Sequence, residues 1–130
     1  MNQTGNISRT ILIADDEAVV SDALAAILSQ KGYKAISVHS GEEAVLAAQS
    51  AEPDILISDV VMGEISGVDA AILIQRRFPH CKVILLSGYA ETFDQLTSAP
   101  ADGLIFDFLV KPVHPEVILQ RVKQTELRGE

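Results

Sequence analysis

Residues Ile11–Val20 read ILIADDEAVV. Ile11, Leu12, Ile13 and Ala14 form a run that belongs in a dry interior, and it stops at three consecutive carboxylates, Asp15, Asp16 and Glu17. Like charges crowded at the end of a buried strand repel one another, more strongly as the local dielectric falls. The stretch therefore demands a compensating group from elsewhere. Val20, Leu24, Ile27 and Leu28 follow at helical spacing, with Gly32 where a helix closes in a left-handed cap.

The same strand-then-helix pattern recurs. ILIS (55–58), VILLS (83–87) and FDFLV (106–110) are near-continuous apolar runs, as expected of parallel strands covered on both faces, while AISVH (35–39) alternates like an edge strand. Between them, Ser40-Gly41-Glu42-Glu43 is a capping box ahead of Ala44-Val45-Leu46, and Ala70–Phe78 is a helical segment closed by Pro79. Pro115 suits the first turn of a last helix carrying Val117, Ile118 and Val122, with Val113 placed to staple onto Ile118. Glu91–Asp102 has some apolar spacing at Phe93 and Leu96 but runs into SAPADG, which predicts a short or irregular helix. This alternation predicts an α/β doubly wound parallel sheet, in which ligands bind at the carboxyl ends of the strands.

The 130 residues suit one domain, and with 48% hydrophobic residues, 5% aromatics and no Trp its core is mostly Ile, Leu, Val and Ala. A net charge of -8 repels phosphate backbones and anionic membranes and suits a basic partner or a cation, so no direct nucleic-acid or membrane contact is expected. Cys81 is the only cysteine, which excludes an intrachain disulfide and fits a reducing compartment. The opening MNQTGNISRT has no apolar signal core and no run approaches a membrane span, so a cytoplasmic location is expected, and the glycosylation patterns at Asn2 and Asn6 read as chance.

The strand ends carry the chemistry: Asp15-Asp16, Asp59, Ser87, and Lys111 followed by Pro112, with His39 ending the edge strand. Taken singly, each has an ordinary explanation as a helix cap, a turn residue or a solvated strand end. Taken together, three carboxylates converging beside one lysine and one hydroxyl repel each other unless a cation intervenes, and Mg²⁺ prefers oxygen ligands. A carboxylate beside Mg²⁺ can attack a phosphoryl group to form an aspartyl phosphate, with Lys111 neutralising one phosphoryl oxygen and Ser87 donating to another.

With LIADDE, ISDVVMGEISG, LLSGYA and FLVKP in this order at strand ends, the chain resembles the receiver domains of two-component response regulators from about Thr10 to Val122. The resemblance implies a flavodoxin-like five-stranded sheet of order 2-1-3-4-5, with a flexible segment at 1–9, the receiver domain at 10–126 and a tail at 127–130. It implies Asp59 as phosphoacceptor, and Asp15, Asp16 and Asp59 with the main-chain carbonyl of Val61 as Mg²⁺ ligands. Ser87 and Phe108 are the implied switch pair, Lys111 assists the transfer, and Lys111-Pro112 is expected cis. The implied donor is a histidine kinase or a histidine phosphotransfer protein. The domain then signals by contact with an unknown downstream protein, homodimerisation on phosphorylation being an allowed outcome. No output module follows TELRGE, so output by protein contact, or a receiver cut from a longer regulator, is expected.

Several positions depart from the family's pattern. Gly63 stands where proline is usual, Phe108 lacks the hydroxyl of the tyrosine often found there, and the stretch from Ser87 to Lys111 is a couple of residues longer than usual, with the excess in TSAPADG. Val61 cannot orient a water and Tyr89 can block one, which predicts slow self-dephosphorylation. His39, His80 and His114 lack ligand spacing, Cys81 reads as a partly buried structural thiol, and Glu17 is either a support to the metal site or a solvated helix start. A receiver-like module that is never phosphorylated would take no phosphoryl group from any donor. A small Mg²⁺-dependent phosphatase would turn over phosphomonoesters, although no insertion is long enough for a substrate lid; on either switch reading the chain is not a turnover enzyme.

Overall fold

Alternating side-chain direction along short apolar strands builds two cores, one on each face of a single sheet. The computed structural model describes residues 9–62, 65–88 and 106–128. In chain order the elements are β1 (Thr10–Ala14), α1 (Ala18–Gln30), β2 (Lys34–Val38), α2 (Gly41–Ala51), β3 (Ile55–Asp59), α3 (Gly67–Arg77), β4 (Lys82–Ser87), β5 (Phe106–Val110) and α4 (Pro115–Arg128). The strands are all parallel in the order β2-β1-β3-β4-β5. The irregular helix expected within Glu91–Asp102 lies outside the described residues.

Leu12, Ala14, Leu56, Val83 and Leu85 face α2 and α3, whose Ala44, Ala48, Ala70, Ala71 and Ile74 complete that core. Ile11, Ile13, Ile55, Ile57, Ile84 and Leu86 face α1 and α4 and meet Leu24, Leu28, Ile118, Leu119 and Val122. This double cover is why β1, β3 and β4 read as unbroken apolar runs. Among the described residues no helix is long and apolar enough to cross a membrane.

Local details differ from expectation where neighbouring elements decide. The buried stripe of α1 is Ser21, Leu24, Ala25 and Leu28, whereas Val20 is 40% exposed and, with Ile27, lines a groove beside the start of α4. At α2 the Ser40 hydroxyl accepts from the Glu43 N–H at 3.0 Å, but the Glu43 carboxylate accepts from the His39 N–H at 2.8 Å rather than from that of Ser40. α3 starts at Gly67, three residues before the expected Ala70, because Ser66 caps it by accepting from Asp69 N–H. Gly32, with φ of 99°, follows α1 as expected, and Val113 packs on the cluster that contains Ile118.

Leu56 is fully buried at the centre of the sheet, whereas Leu46 on α2 is 69% exposed. Leu56→Ala is expected to cost about 3 kcal/mol in urea unfolding and Leu46→Ala under about 0.5 kcal/mol; similar costs would contradict this assignment of the core.

Candidate functional site

The parallel order sets the ends of β1, β3, β4 and β5 along one edge. Asp15 follows β1 directly, its N–H donating 3.2 Å to Val38 O, and it is only 2% exposed. Its Oδ1 accepts from Glu17 N–H at 2.9 Å, while Glu17 occupies the N-cap of α1 without a side-chain cap bond. Asp15 is thus turned inward, while Asp16 and Glu17 are exposed. Asp59 ends β3 at 8% exposure, and the next residue ties it to β4 through Val60 N–H donating to Leu86 O at 2.9 Å. Lys111 N–H donates 2.7 Å to Ser87 O, bringing the end of β5 to the end of β4.

From there the Lys111 Nζ lies 3.2 Å from Asp59 Oδ2 and 3.4 Å from Asp15 Oδ2. One carboxylate oxygen each from Asp15, Asp16 and Asp59 lies within 4.8 Å of the others. Three carboxylates facing one ammonium leave an excess of negative charge. Burial pushes the Asp59 carboxyl above the ordinary aspartate value; the Lys111 charge pulls it back, the Asp15 charge adds to the rise, and hydrogen bonds from Lys111 and the Val61 N–H oppose it. Burial also works against the Lys111 ammonium, yet the charges of Asp59 and Asp15 hold its pKa above the ordinary lysine value. An isolated ion pair would lower the acid and raise the base. Here both rise, because burial outweighs the attraction of Lys111 at Asp59 while two carboxylates hold the proton on Lys111. An all-oxygen donor set with surplus negative charge fits a hard divalent cation such as Mg²⁺.

Ser87 ends β4 and Val61 follows β3 on the same edge of the sheet, and Phe108 lies on β5 three residues before Lys111. Ser87 is 1% exposed at the end of β4, and Val61, just past Asp59, is 63% exposed. Phe108 is half-buried on β5 and packs on the α2–α3 side, paired in register with Leu85. The Lys111-Pro112 bond is cis. Gly63 and Tyr89 lie outside the described residues. Cys81, expected to be partly buried, is 1% exposed, and burial pushes its thiol up to about 12, an inert thiol at neutral pH.

The histidines stay outside the site. His39 Nε2 is 3.0 Å from Asp22 Oδ1, His80 meets Phe78 edge-on, and His114 Nδ1 accepts from Glu116 N–H at the start of α4.

Sequence reasoning missed two glycines. A Cβ on Gly67 would sit 1.7 Å from the main-chain oxygen of Asp59, and one on Gly41 would sit 2.5 Å from that of Ile65. Only glycine lets α3 begin against Asp59 and α2 begin against the loop that follows it. The position of Gly67 inside ISDVVMGEISG was the available signal, but close approach across a loop is a spatial fact.

The family model described as response regulator receiver domain matches residues 11–123. The chain is 28% identical over 124 residues to the alkaline phosphatase synthesis transcriptional regulatory protein PhoP of Bacillus subtilis, covering 95% of this chain and 51% of that protein. It is 29% identical to the chemotaxis protein CheY of Thermotoga maritima, covering 91% of this chain and 98% of that one. Among solved structures, the response regulator TrrA of Thermotoga maritima in complex with Mg(2+)-BeF is similar at a TM-score of 0.76 and 31% identity, covering 89% of this chain and 97% of that chain. The chain spans about half the length of the first curated relatives that it matches, at 51, 48 and 47%.

An aspartate whose folded pKa is raised contributes stability below its unfolded pKa, and that contribution is lost as pH rises through the folded value. At pH 7 without divalent cation, Asp59→Asn is therefore expected to be more stable than wild type by about 1 kcal/mol, or roughly 4 °C in Tm. Thermal melts should show the gain shrinking as pH falls toward the ordinary aspartate range. A variant less stable than wild type at pH 7 would contradict this electrostatic account.

Proposed function

The chain belongs to the response regulator receiver family, whose role is a phosphorylation-dependent signalling switch, and on that premise we propose that Asp59 is the phosphoacceptor. The single observation that carries the assignment is the Lys111 ammonium lying between Asp59 at 3.2 Å and Asp15 at 3.4 Å. In the proposed reaction an Asp59 carboxylate oxygen attacks the phosphorus of a phosphohistidine on a histidine kinase or histidine phosphotransfer protein. The phosphorus–nitrogen bond breaks, an aspartyl acyl phosphate forms, and the imidazole leaves with the bonding pair and takes up a proton.

Asp15, Asp16 and Asp59, with the Val61 carbonyl, would hold Mg²⁺, which when bound supplies positive charge that screens the incoming phosphoryl oxygens. Lys111 neutralises one phosphoryl oxygen and keeps its proton, consistent with its raised pKa. The Ser87 hydroxyl donates to another, and its movement together with the half-buried Phe108 carries the change to the β5–α4 face. Output is then a contact with a downstream protein, in a cytoplasmic setting, with no nucleic-acid contact by the domain itself. The chain acts as a switch rather than a turnover enzyme, and Val61, unable to orient a water, favours a long-lived phosphoryl group.

Glu17 and Lys111 stand at the end of an apolar groove between α1 and the turn into α4, lined by Val19, Val20, Pro112 and Pro115. Val19 is 82% exposed there. The groove's continuity with the site supports it as the seat of the phosphodonor protein.

Incubation with Mg²⁺ and a small acyl phosphate, read by intact mass, should add one phosphoryl group to wild type and none to Asp59→Asn. No addition to wild type would sink the assignment. Val19→Asp should slow transfer from a phosphorylated histidine phosphotransfer protein about tenfold while leaving uptake from the acyl phosphate within about twofold. Equal effects on both donors would remove the groove from the docking surface.

A further inference from the structure

Parallel strands place every strand start on one edge of the sheet, at the opposite end from the carboxylate cluster. Lys34 opens β2 and Lys82 opens β4. Arg9 stands just before β1, and its main-chain oxygen accepts from Lys34 N–H at 2.9 Å. The helices run back across the sheet, so Lys31 after α1 and Arg77 at the end of α3 reach the same edge. Lys31, Lys34, Arg77 and Lys82 are exposed, and Arg9 is half-buried. In a chain of net charge -8 this is a segregated patch of the opposite sign.

Basic side chains at a helix end have an ordinary role in complementing the helix dipole. Arg77 has a second one, its guanidinium lying 4.9 Å over the Phe78 ring. Neither role covers Arg9, Lys34 and Lys82, which stand at strand starts. Among the described residues no ion pair engages these three or Lys31. Lys111 and Arg121, by contrast, each face a carboxylate. The described acids on this edge are Glu52 after α2 and Asp54 before β3, and Asp54 Oδ2 already accepts from Thr10 N–H at 2.8 Å.

We infer that this edge, where Arg9, Lys31, Lys34 and Lys82 stand together without ion-pair partners, docks a short acidic polypeptide segment of a partner protein. From β2 to β4 the patch crosses three strand spacings, about 14 Å, the length of about four extended residues. A nucleic-acid duplex or an anionic membrane reaches well past that and brings its phosphates against the acidic remainder of the surface. A second copy brings its own net charge of -8. A short acidic segment meets the cations alone. β1 holds five residues between this edge and Asp15, about 16 Å, roughly twice the screening length at physiological salt. The segment and a phosphodonor therefore bind at opposite ends without excluding one another.

The test follows a fluorescein-labelled tetraglutamate peptide on the full chain by anisotropy. Binding should weaken about tenfold between low and physiological salt. At low salt, Lys34→Glu combined with Lys82→Glu should weaken it about tenfold, and Lys123→Glu, on the exposed side of α4, should stay within about twofold. If the double reversal does not fold, Lys34→Gln with Lys82→Gln takes its place. Phosphoryl uptake from a small acyl phosphate should be unchanged by saturating peptide. Absence of peptide binding, equal affinity in wild type and the double variant, or uptake blocked by the peptide would overturn the inference. So would a duplex oligonucleotide that binds more tightly than the peptide through the same lysines, which would assign the edge to nucleic acid. A wild type that takes up no phosphoryl group would instead overturn the role of Asp59 and leave the anisotropy result standing.

Discussion

The Lys111 ammonium, 3.2 Å from Asp59 and 3.4 Å from Asp15, cannot neutralise the carboxylates around it. Asp16 brings a third within 4.8 Å. Burial of Asp15 and Asp59 weakens the solvent screening that would make such crowding harmless at a surface. A site built this way is held short of electrostatic balance, so a cation and a phosphoryl group together change its energy far more than they would change a balanced ion pair. On the proposed assignment of Asp59, that imbalance is what would let a small chemical event shift the site.

The fold's part is to make the imbalance affordable and specific. Two apolar layers lock β1, β3 and β4 in register, so Ala14 stands opposite Ser58 and Asp59 opposite Leu86. The acidic ends cannot then splay apart to relieve their repulsion. On one side Gly67 and Gly41 let α3 and α2 begin against the chain around Asp59. On the other, the β4–β5 ladder and the Lys111 amide on Ser87 O deliver the lysine. Stability in the cores thus supports strain at the edge.

The strands were legible because each is a short apolar run with polar ends. FDFLV coincides with β5, ILIS extends one residue to Asp59, and AISVH is displaced by one residue to Lys34–Val38. The convergence of Asp15, Asp16, Asp59 and Lys111 was legible only through topology, since up to 96 residues separate the partners of one ion pair in sequence. What stayed hidden depends on distances between elements that sequence spacing does not encode. Val20 keeps helical spacing with Leu24 yet turns toward the groove, the Glu43 carboxylate reaches past Ser40 to His39, and Ser58 looks like any small core residue until its hydroxyl is placed on the Asp59 carbonyl.

The most direct test of the central claim is a calorimetric titration of Mg²⁺ into the unphosphorylated protein, with Asp16→Asn alongside. If surplus carboxylate charge at the strand ends is what the site offers, one Mg²⁺ binds per chain and Asp16→Asn weakens it about tenfold or more, equivalent to about 1.4 kcal/mol. Absence of binding, or equal affinity in wild type and variant, would mean that Lys111 and solvent already balance the cluster, and the account of the site would be wrong.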